Sequence, residues 1–356
     1  MDAPELERHL STVLDETVTG LEVLADGLNL VVAVATAETD AAYVLRRPNK
    51  LRESGLFVDL QTEFEVLGRL EPTAVPAPDP VLFCEEPPGL DGPCCLTTSL
   101  AGEPFPWAAA LPERYRNADS RDRIATRTVE TLAEVHAVDT EPFEGVCARC
   151  PPAEQVEHTA ARVDAVTDET GHELPRLRRV GDRLGELVPT DTETTLVHGD
   201  FRPGNLLFSG GDDLRVTGVL DWETAMLGDP LTDLGYLLLD WRGGSAPWPS
   251  PDELDVDPDT EGMDRVRELH ADGLTPFTTQ AGSPSAAELV GRYEWLTGRT
   301  FEDGAFYRAL GAFGLATVWA DLHRHAVVAG ETDPTETLPV VEYLALVAER
   351  ILGDLE

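Results

Sequence analysis

The sequence predicts an α+β chain in two parts, a strand-rich first hundred residues and a helix-rich remainder. Three observations carry that expectation. Short apolar runs joined by tight turns fill residues 21–48, two more such runs stand at 81–84 and 94–100, and helical spacing of apolar residues dominates beyond the break Ala101-Gly102-Glu103-Pro104. The expected layout is a five-stranded antiparallel sheet with one helix over residues 1–101, and a larger, mostly helical part over 102–356. A cleft between two such parts is a common place for a ligand.

The elements follow in order. Leu6, Leu10, Val13, Leu14 and Val18 lie close to helical spacing, which predicts a helix over 2–18. Residues 21–24, 30–36 and 42–46 read as strands, separated by Asp26-Gly27-Leu28-Asn29 and by Thr39-Asp40, and Pro48 ends the third. Val58, Leu60, Phe64, Leu67 and Leu70 can share one broad face of a helix over 58–70. After a proline-rich loop at 72–80 come the strands 81–84 and 94–100. Helices are expected over 119–138, over 153–187 with breaks near Gly171 and Pro175, from 229 to 240, and over 263–272, 284–297, 303–327 and 338–353. The Gly-, Pro- and Asp-rich stretch 243–262 reads as a mobile loop. Tyr293, Trp295, Phe306, Tyr307, Phe313 and Trp319 are expected as core aromatics of the helical part.

Composition narrows the function. The 356 residues carry 66 acidic and 27 basic side chains, a formal net charge of −39, and only one lysine, Lys50. The acids are spread along the whole chain, so self-repulsion is strong unless salt screens it. Such a composition looks like that of proteins from salt-accumulating halophiles. No basic stripe is available to neutralise phosphates, which argues against nucleic acid as a partner. No run approaches the length of a membrane helix, and the acidic start MDAPELERHL lacks the layout of a secretion signal, so the expected location is cytoplasmic and away from membranes. Cys147 and Cys150 have zinc-ligand spacing, but no clear second pair exists, and reduced, partly buried thiols are the favoured reading.

Residues 198–223 carry the chemistry. HGDFRPGNLLF places Asp200 five positions before Asn205, and RVTGVLDWE places Asp221 at the end of an apolar run. The order matches the catalytic loop H-x-D-x-x-x-x-N of kinases. One carboxylate there can orient an attacking hydroxyl, while an Asn and a second carboxylate offer hard oxygen ligands to Mg²⁺. Asp200 is therefore the candidate base, Asn205 and Asp221 are the candidate metal ligands, and Arg202 is a cation placed to neutralise a transferring phosphoryl group. Glu223 is open to either a metal-assisting role or that of an acid at a helix start. His198 reads as a structural hydrogen-bonding residue and His136 as core. In GDPLTDLG, Asp229 can cap a helix and Asp233 can hydrogen-bond the catalytic-loop backbone. Gly27 in the first turn would let backbone N–H groups approach phosphate. Arg46 ends the third strand, where kinases place a Lys for the α- and β-phosphates, and Glu63 on the following helix can pair with it.

HGDFRPGN, VLDWE and LGDPLTDLGYLL together resemble the aminoglycoside phosphotransferase and choline kinase-like superfamily. YVLRRP at 43–48, the helix around Glu63 and RYEWLTGR at 292–299 resemble, more narrowly, the kinase-like domain fused to acyl-CoA dehydrogenases and its free-standing microbial relatives. The resemblance implies a two-lobed protein-kinase-like fold, and a transfer of the γ-phosphate of ATP or GTP, with Mg²⁺, to a hydroxyl of a small metabolite. A hydroxyacyl thioester, an amino alcohol and a sugar are the candidate acceptors. It also implies that Thr98 to Leu100 form the link between lobes whose backbone meets the purine, that Leu207 lies under the base, and that the long acidic stretch 243–272 lies where substrate selection is expected. Arg46 stands where most of the superfamily has Lys, which is not a conservative change at a phosphate contact. That departure motivates the alternative of a nucleotide-binding or sensing module without catalysis. A protein kinase is disfavoured, since an A-P-E segment and a D-F-G glycine are missing.

Overall fold

The computed structural model describes the chain except residues 52–54, 212, 242–247, 331–333 and 354–356. It opens with α1 (Ala3–Leu14), whose first turn is capped by the Asp2 carboxylate, an acceptor for the Glu5 amide at 3.1 Å. The helix stops four residues earlier than its apolar spacing suggests, because Asp15 takes a left-handed conformation (φ 55°) and the chain turns into a strand at Val18. β1 (Val18–Asp26), β2 (Asn29–Thr36), β3 (Tyr43–Pro48), then α2 (Leu60–Leu70), β4 (Pro80–Cys84) and β5 (Cys94–Thr98) follow. The five strands form one antiparallel sheet in the order β1-β2-β3-β5-β4, so β3 is central. Leu6 and Leu10 of α1 pack with Leu30, Val32, Val34, Leu45 and Leu96 to make its core.

α2 faces the other way. Its buried stripe is Leu60, Glu63, Val66, Leu67 and Leu70, with Phe64 only half-buried. Val66, Leu67 and Leu70 join a core made largely by later residues, among them Phe105, Phe143, Phe201 and Trp222. One carboxylate, Glu63, sits on that apolar stripe, and such a group needs a cation.

Beyond β5 the chain is mainly helical: α3 (Ala118–His136), α4 (Pro152–Thr170) and α5 (Pro175–Glu186). Two short two-stranded sheets then interrupt it. β6 (Thr195–Val197) pairs with β9 (Met226–Gly228), and between them β7 (Leu206–Ser209) pairs with β8 (Arg215–Val219). α6 (Leu231–Leu237), α7 (Met263–Asp272), α8 (Ala286–Thr297), α9 (Gly304–Ala329) and α10 (Leu338–Gly353) complete the fold. α9 runs through the middle of the second core, with Phe306, Tyr307, Phe313 and Ala316 packed among α4, α5, α6 and α10.

Two expectations are corrected. Trp295 is 79% exposed on the outer face of α8, while its neighbour Tyr293 is buried, since one helical step of two residues turns a side chain to the opposite face. Of the stretch expected as a mobile loop, residues 243–247 lie outside the described residues, but Trp248 and Leu254 are buried in the second core and Ser250 with Glu253 forms a capping box. Among the described residues no helix is long and apolar enough to cross a membrane.

Candidate active site

The loop between β6 and β7 is held from below by Asp233 at the start of α6. This carboxylate is fully buried and accepts the His198 and Gly199 backbone amides, each at 2.8 Å, as well as His136 Nε2 at 3.1 Å. His136 in turn meets the Tyr293 hydroxyl at 2.8 Å. Gly199 (φ 84°) runs against Thr224, where any Cβ would come within 2.6 Å of the Thr224 carbonyl oxygen. The His198 ring is sealed inside, donating from Nε2 to the Leu220 carbonyl at 2.9 Å and accepting the Asp200 amide on Nδ1 at 3.2 Å. Both ring nitrogens are occupied by backbone groups, so the ring ties the loop to the end of β8. Asp229 accepts the Leu231 amide at the start of α6 and the Glu193 amide.

Asp200 emerges at the rim. Asn205 Nδ2 donates to its carboxylate at 2.7 Å and to its carbonyl at 2.9 Å, and Arg202 Nε reaches both carboxylate oxygens at 3.2 and 3.3 Å. The Arg202 guanidinium lies 4.2 Å from the centroid of the Trp107 ring. Burial would lower the Arg202 pKa, and Asp200 first among its neighbours raises it overall. The neighbouring Tyr236 hydroxyl is pushed well above its ordinary value, by burial and then by Asp200.

Leu206 pairs with Val219 in the β7–β8 ladder, and the Leu220 amide donates to the Asn205 carbonyl at 2.8 Å. Asn205 and Asp221 therefore stand at the same end of one hairpin. Asp221 adopts φ 62°, ψ 59°, a left-handed conformation that Asp tolerates better than most residues. Its carboxylate is 44% exposed.

Across the cleft, Arg46 of β3 is buried and forms ion pairs with Glu63 and Glu223, with Asp221 3.9 Å from its Nε. Burial raises the Glu63 pKa and Arg46 pulls it back only in part. The expected Arg46–Glu63 pair is present. Glu223 takes a third course: its carboxylate pairs with Arg46 and accepts Asn29 Nδ2 at 3.0 Å. One guanidinium among Glu63, Asp221 and Glu223 leaves this corner net negative beside Asn205. The Asn205 amide oxygen and the Asp221 carboxylate suit Mg²⁺, which takes one or two protein oxygens and fills its shell with water and phosphate.

The other expected residues fall in two places. Gly27 stands at the β1–β2 turn, with its amide donated to the Asn29 carbonyl at 3.1 Å. Thr98 ends β5, and the Thr98 and Ser99 amides are donated to the Asp79 and Ala42 carbonyls. The chain then crosses the β7–β8 hairpin, where Thr217 Oγ1 donates to the Ala101 carbonyl. Leu100 and Leu207 pack closely over Gly218, where a Cβ would meet them at 2.8 and 3.1 Å, at the junction of the two parts.

Beside Asp200 opens a cavity of 310 Å³. Asp200 and Arg202 line it, together with Leu28, Phe57 and Trp107 and with residues of α4, α6 and α9. Sequence reasoning missed the α4 and α9 contributions, Gln155, His158, Thr159 and Arg162 on one helix and Leu310, Gly311, Gly314, Leu315 and Val318 on the other. None of the described residues of 243–272, where selection was expected, lines it. The i, i+3, i+4, i+7 spacing of the α4 polar residues was the available signal. Cys147 and Cys150 are free and buried, burial pushes both thiols up to about 11, and no group of three metal-ligating side chains occurs among the described residues.

Comparison with known proteins places these features in context. The model of the APH phosphotransferase enzyme family matches residues 20–269. Acyl-CoA dehydrogenase family member 11 from Homo sapiens is 29% identical over 208 residues, which is 55% of this chain and 25% of that protein. The Gallus gallus protein of the same name is 31% identical over 206 residues, with 55% and 25% covered. The chain thus spans about a quarter of the length of these relatives. Among solved structures, a Ralstonia eutropha protein provisionally named an aminoglycoside phosphotransferase superposes with a TM-score of 0.68 at 20% identity, covering 98% of both chains. The GDP and kanamycin complex of APH(2")-IIIa gives 0.61 at 17%, covering 95% and 97%. At such identities these structures establish the two-part kinase-like fold.

Proposed function

From the premise that the chain belongs to the phosphotransferase enzyme family, we propose that it moves the γ-phosphate of ATP or GTP to a hydroxyl of a small metabolite, with Asp200 receiving that hydroxyl. The observation that carries this reading is the position of Asp200: on the rim of the 310 Å³ cavity, locked by Asn205, with Asp221 at the same hairpin end.

The acceptor hydroxyl would donate to the Asp200 carboxylate, which fixes its oxygen in line for attack. Because Arg202 already shares that carboxylate, Asp200 acts mainly by orientation and takes the proton late, as suits a loose phosphoryl-transfer transition state. Arg202, held on Trp107, would balance charge as the proton shifts. Asn205 and Asp221 would hold Mg²⁺, which when bound neutralises the phosphates. Arg46, whose Nε has no hydrogen-bond acceptor among the described residues, would meet the phosphate chain while Glu63 keeps its direction. Leu100 and Leu207 would clasp the purine at the link between 1–101 and 102–356, and Gly27 would stand over the phosphates. We also read the net charge of −39 as an adaptation to dense salt within a cytoplasm.

The test is label transfer from γ-labelled ATP to a metabolite extract in molar KCl with Mg²⁺, followed by mass spectrometry. Asp200→Asn should lower transfer by about 10²–10⁴-fold and leave nucleotide binding intact. Undiminished turnover in that variant would remove Asp200 from its role.

A further inference from the structure

The chain holds 66 acidic side chains, yet the described residues that line its cavity at Asp200 balance in charge. Among the described residues only two carboxylates line it. Asp200 is shared with Arg202, and Glu223 is spent on Arg46. The arginine that α4 contributes, Arg162, is matched by the fully buried Asp321 of α9 at 2.9 Å. Gln155, His158, Thr159 and Thr232 add polar groups, but the larger part of the wall is apolar, with Leu28, Phe57, Met226, Leu310, Leu315 and Val318. A ligand carrying several ammonium groups would lose its hydration here and find no unpaired carboxylate among the described lining residues in return. A ligand with an apolar body would shed water and gain contacts.

The glycines of the wall sharpen this. Gly311 of the wall, like Gly235 behind it on α6, is a glycine because another chain segment passes close: a Cβ would meet Tyr236 Cα at 3.1 Å at Gly311, and the Tyr307 backbone at 2.5 Å at Gly235. Gly314 has no such cause. It lies inside a 26-residue helix, where glycine is the poorest choice after proline, and a Cβ there would meet nothing within 4 Å. The open space in front of it is the cavity.

We propose that this cavity takes a hydroxyl compound with a small, uncharged and largely apolar body, laid along α9 with Gly314 setting the room for it. The proposal rests on the phosphotransfer reading above and names the acceptor class of the same site. A volume of 310 Å³ is at the lower end of small-ligand pockets, about 300–1,000 Å³, so the body is compact.

The experiment uses the full chain with Mg²⁺ and ATP in molar KCl, and two probes, cyclohexylmethanol and kanamycin. Binding is followed by calorimetry and transfer by mass spectrometry. Cyclohexylmethanol should bind and be phosphorylated, and kanamycin should do neither. Gly314→Leu, which fills the space, should weaken the alcohol by about tenfold or more without changing nucleotide affinity. Gly314→Ala, the smaller intrusion, should fold at least as well and show an intermediate loss. Preferential binding or phosphorylation of kanamycin, failure of the alcohol to bind, or Gly314 variants that leave its affinity unchanged would each overturn the proposal. Binding of the alcohol that Gly314→Leu abolishes, with no transfer in the unaltered chain, would sink the phosphotransfer reading and leave the cavity assignment standing.

Discussion

The catalytic loop and the cavity beside it are held by different forces. Around Asp200 the geometry comes from hydrogen bonds between named polar groups: Asp233 under two amides, His198 across to Leu220, Asn205 on Asp200. In the cavity it comes from packing and from side chains that are absent, with Gly235 and Gly311 letting α6 and α9 approach. The lesson is that a polar site is specified by what its residues can bond, whereas a void is specified by what its neighbours leave unfilled.

Cutting the hydrogen-bonded half should have the largest effect. Asp233→Ala strands the buried His198 and Gly199 amides and the His136 ring. At about 1–3 kcal/mol for each unsatisfied group, urea unfolding should show a loss of roughly 5 kcal/mol. A loss below about 1 kcal/mol would mean the loop is held by packing after all.

The next test concerns a polar group inside the packed half. Asp240 is 2% exposed, accepts from Thr275 Oγ1 at 2.9 Å, and is raised to about 7 by burial, against which Thr275 and then Arg202 pull. Its folded-state pKa lies above the unfolded value, so the native state keeps the proton between about pH 4 and 7, and the stability held below that window is lost as pH rises through it. Asp240→Asn cannot ionise and should gain on the unaltered chain across this window, by at most about 4 kcal/mol at pH 8, with no gain at pH 4. A pH-independent difference in melting temperature would refute the assignment.

The smallest effects come as a pair with opposite signs. Gly235→Ala drives a methyl into the Tyr307 backbone and should cost about 1–3 kcal/mol. Gly314→Ala meets open space in a helix interior and should add about 0.8–1.0 kcal/mol. Equal signs in chemical denaturation would erase the distinction between a packing glycine and a cavity glycine.

The polar half was legible because its parts are close in the chain. Asp200, Asn205 and Asp221 span 22 positions, and a short hairpin leaves them few arrangements. Asp233 was readable too, as a carboxylate just inside an apolar helix. Glu63 could have been recognised as buried from its place on the stripe of Leu60, Leu67 and Leu70. Glu223 was harder. Its partners Arg46 and Asn29 are more than 170 positions away, and nothing local distinguishes an ion-paired acid from a solvated one. Trp295 was misread because aromatic content was weighed without its helical phase.

Apolar periodicity and turn residues alone determined the antiparallel sheet, the run of helices and the loop that carries Asp200, since each depends on interactions within a few residues. Tertiary structure alone decided that α4 and α9 wall the cavity, that Arg46 serves three carboxylates at once, and that the described lining residues of the cavity balance in charge within a strongly acidic chain. Those properties depend on which distant surfaces meet and how closely, and close packing fixes that only when the whole core assembles.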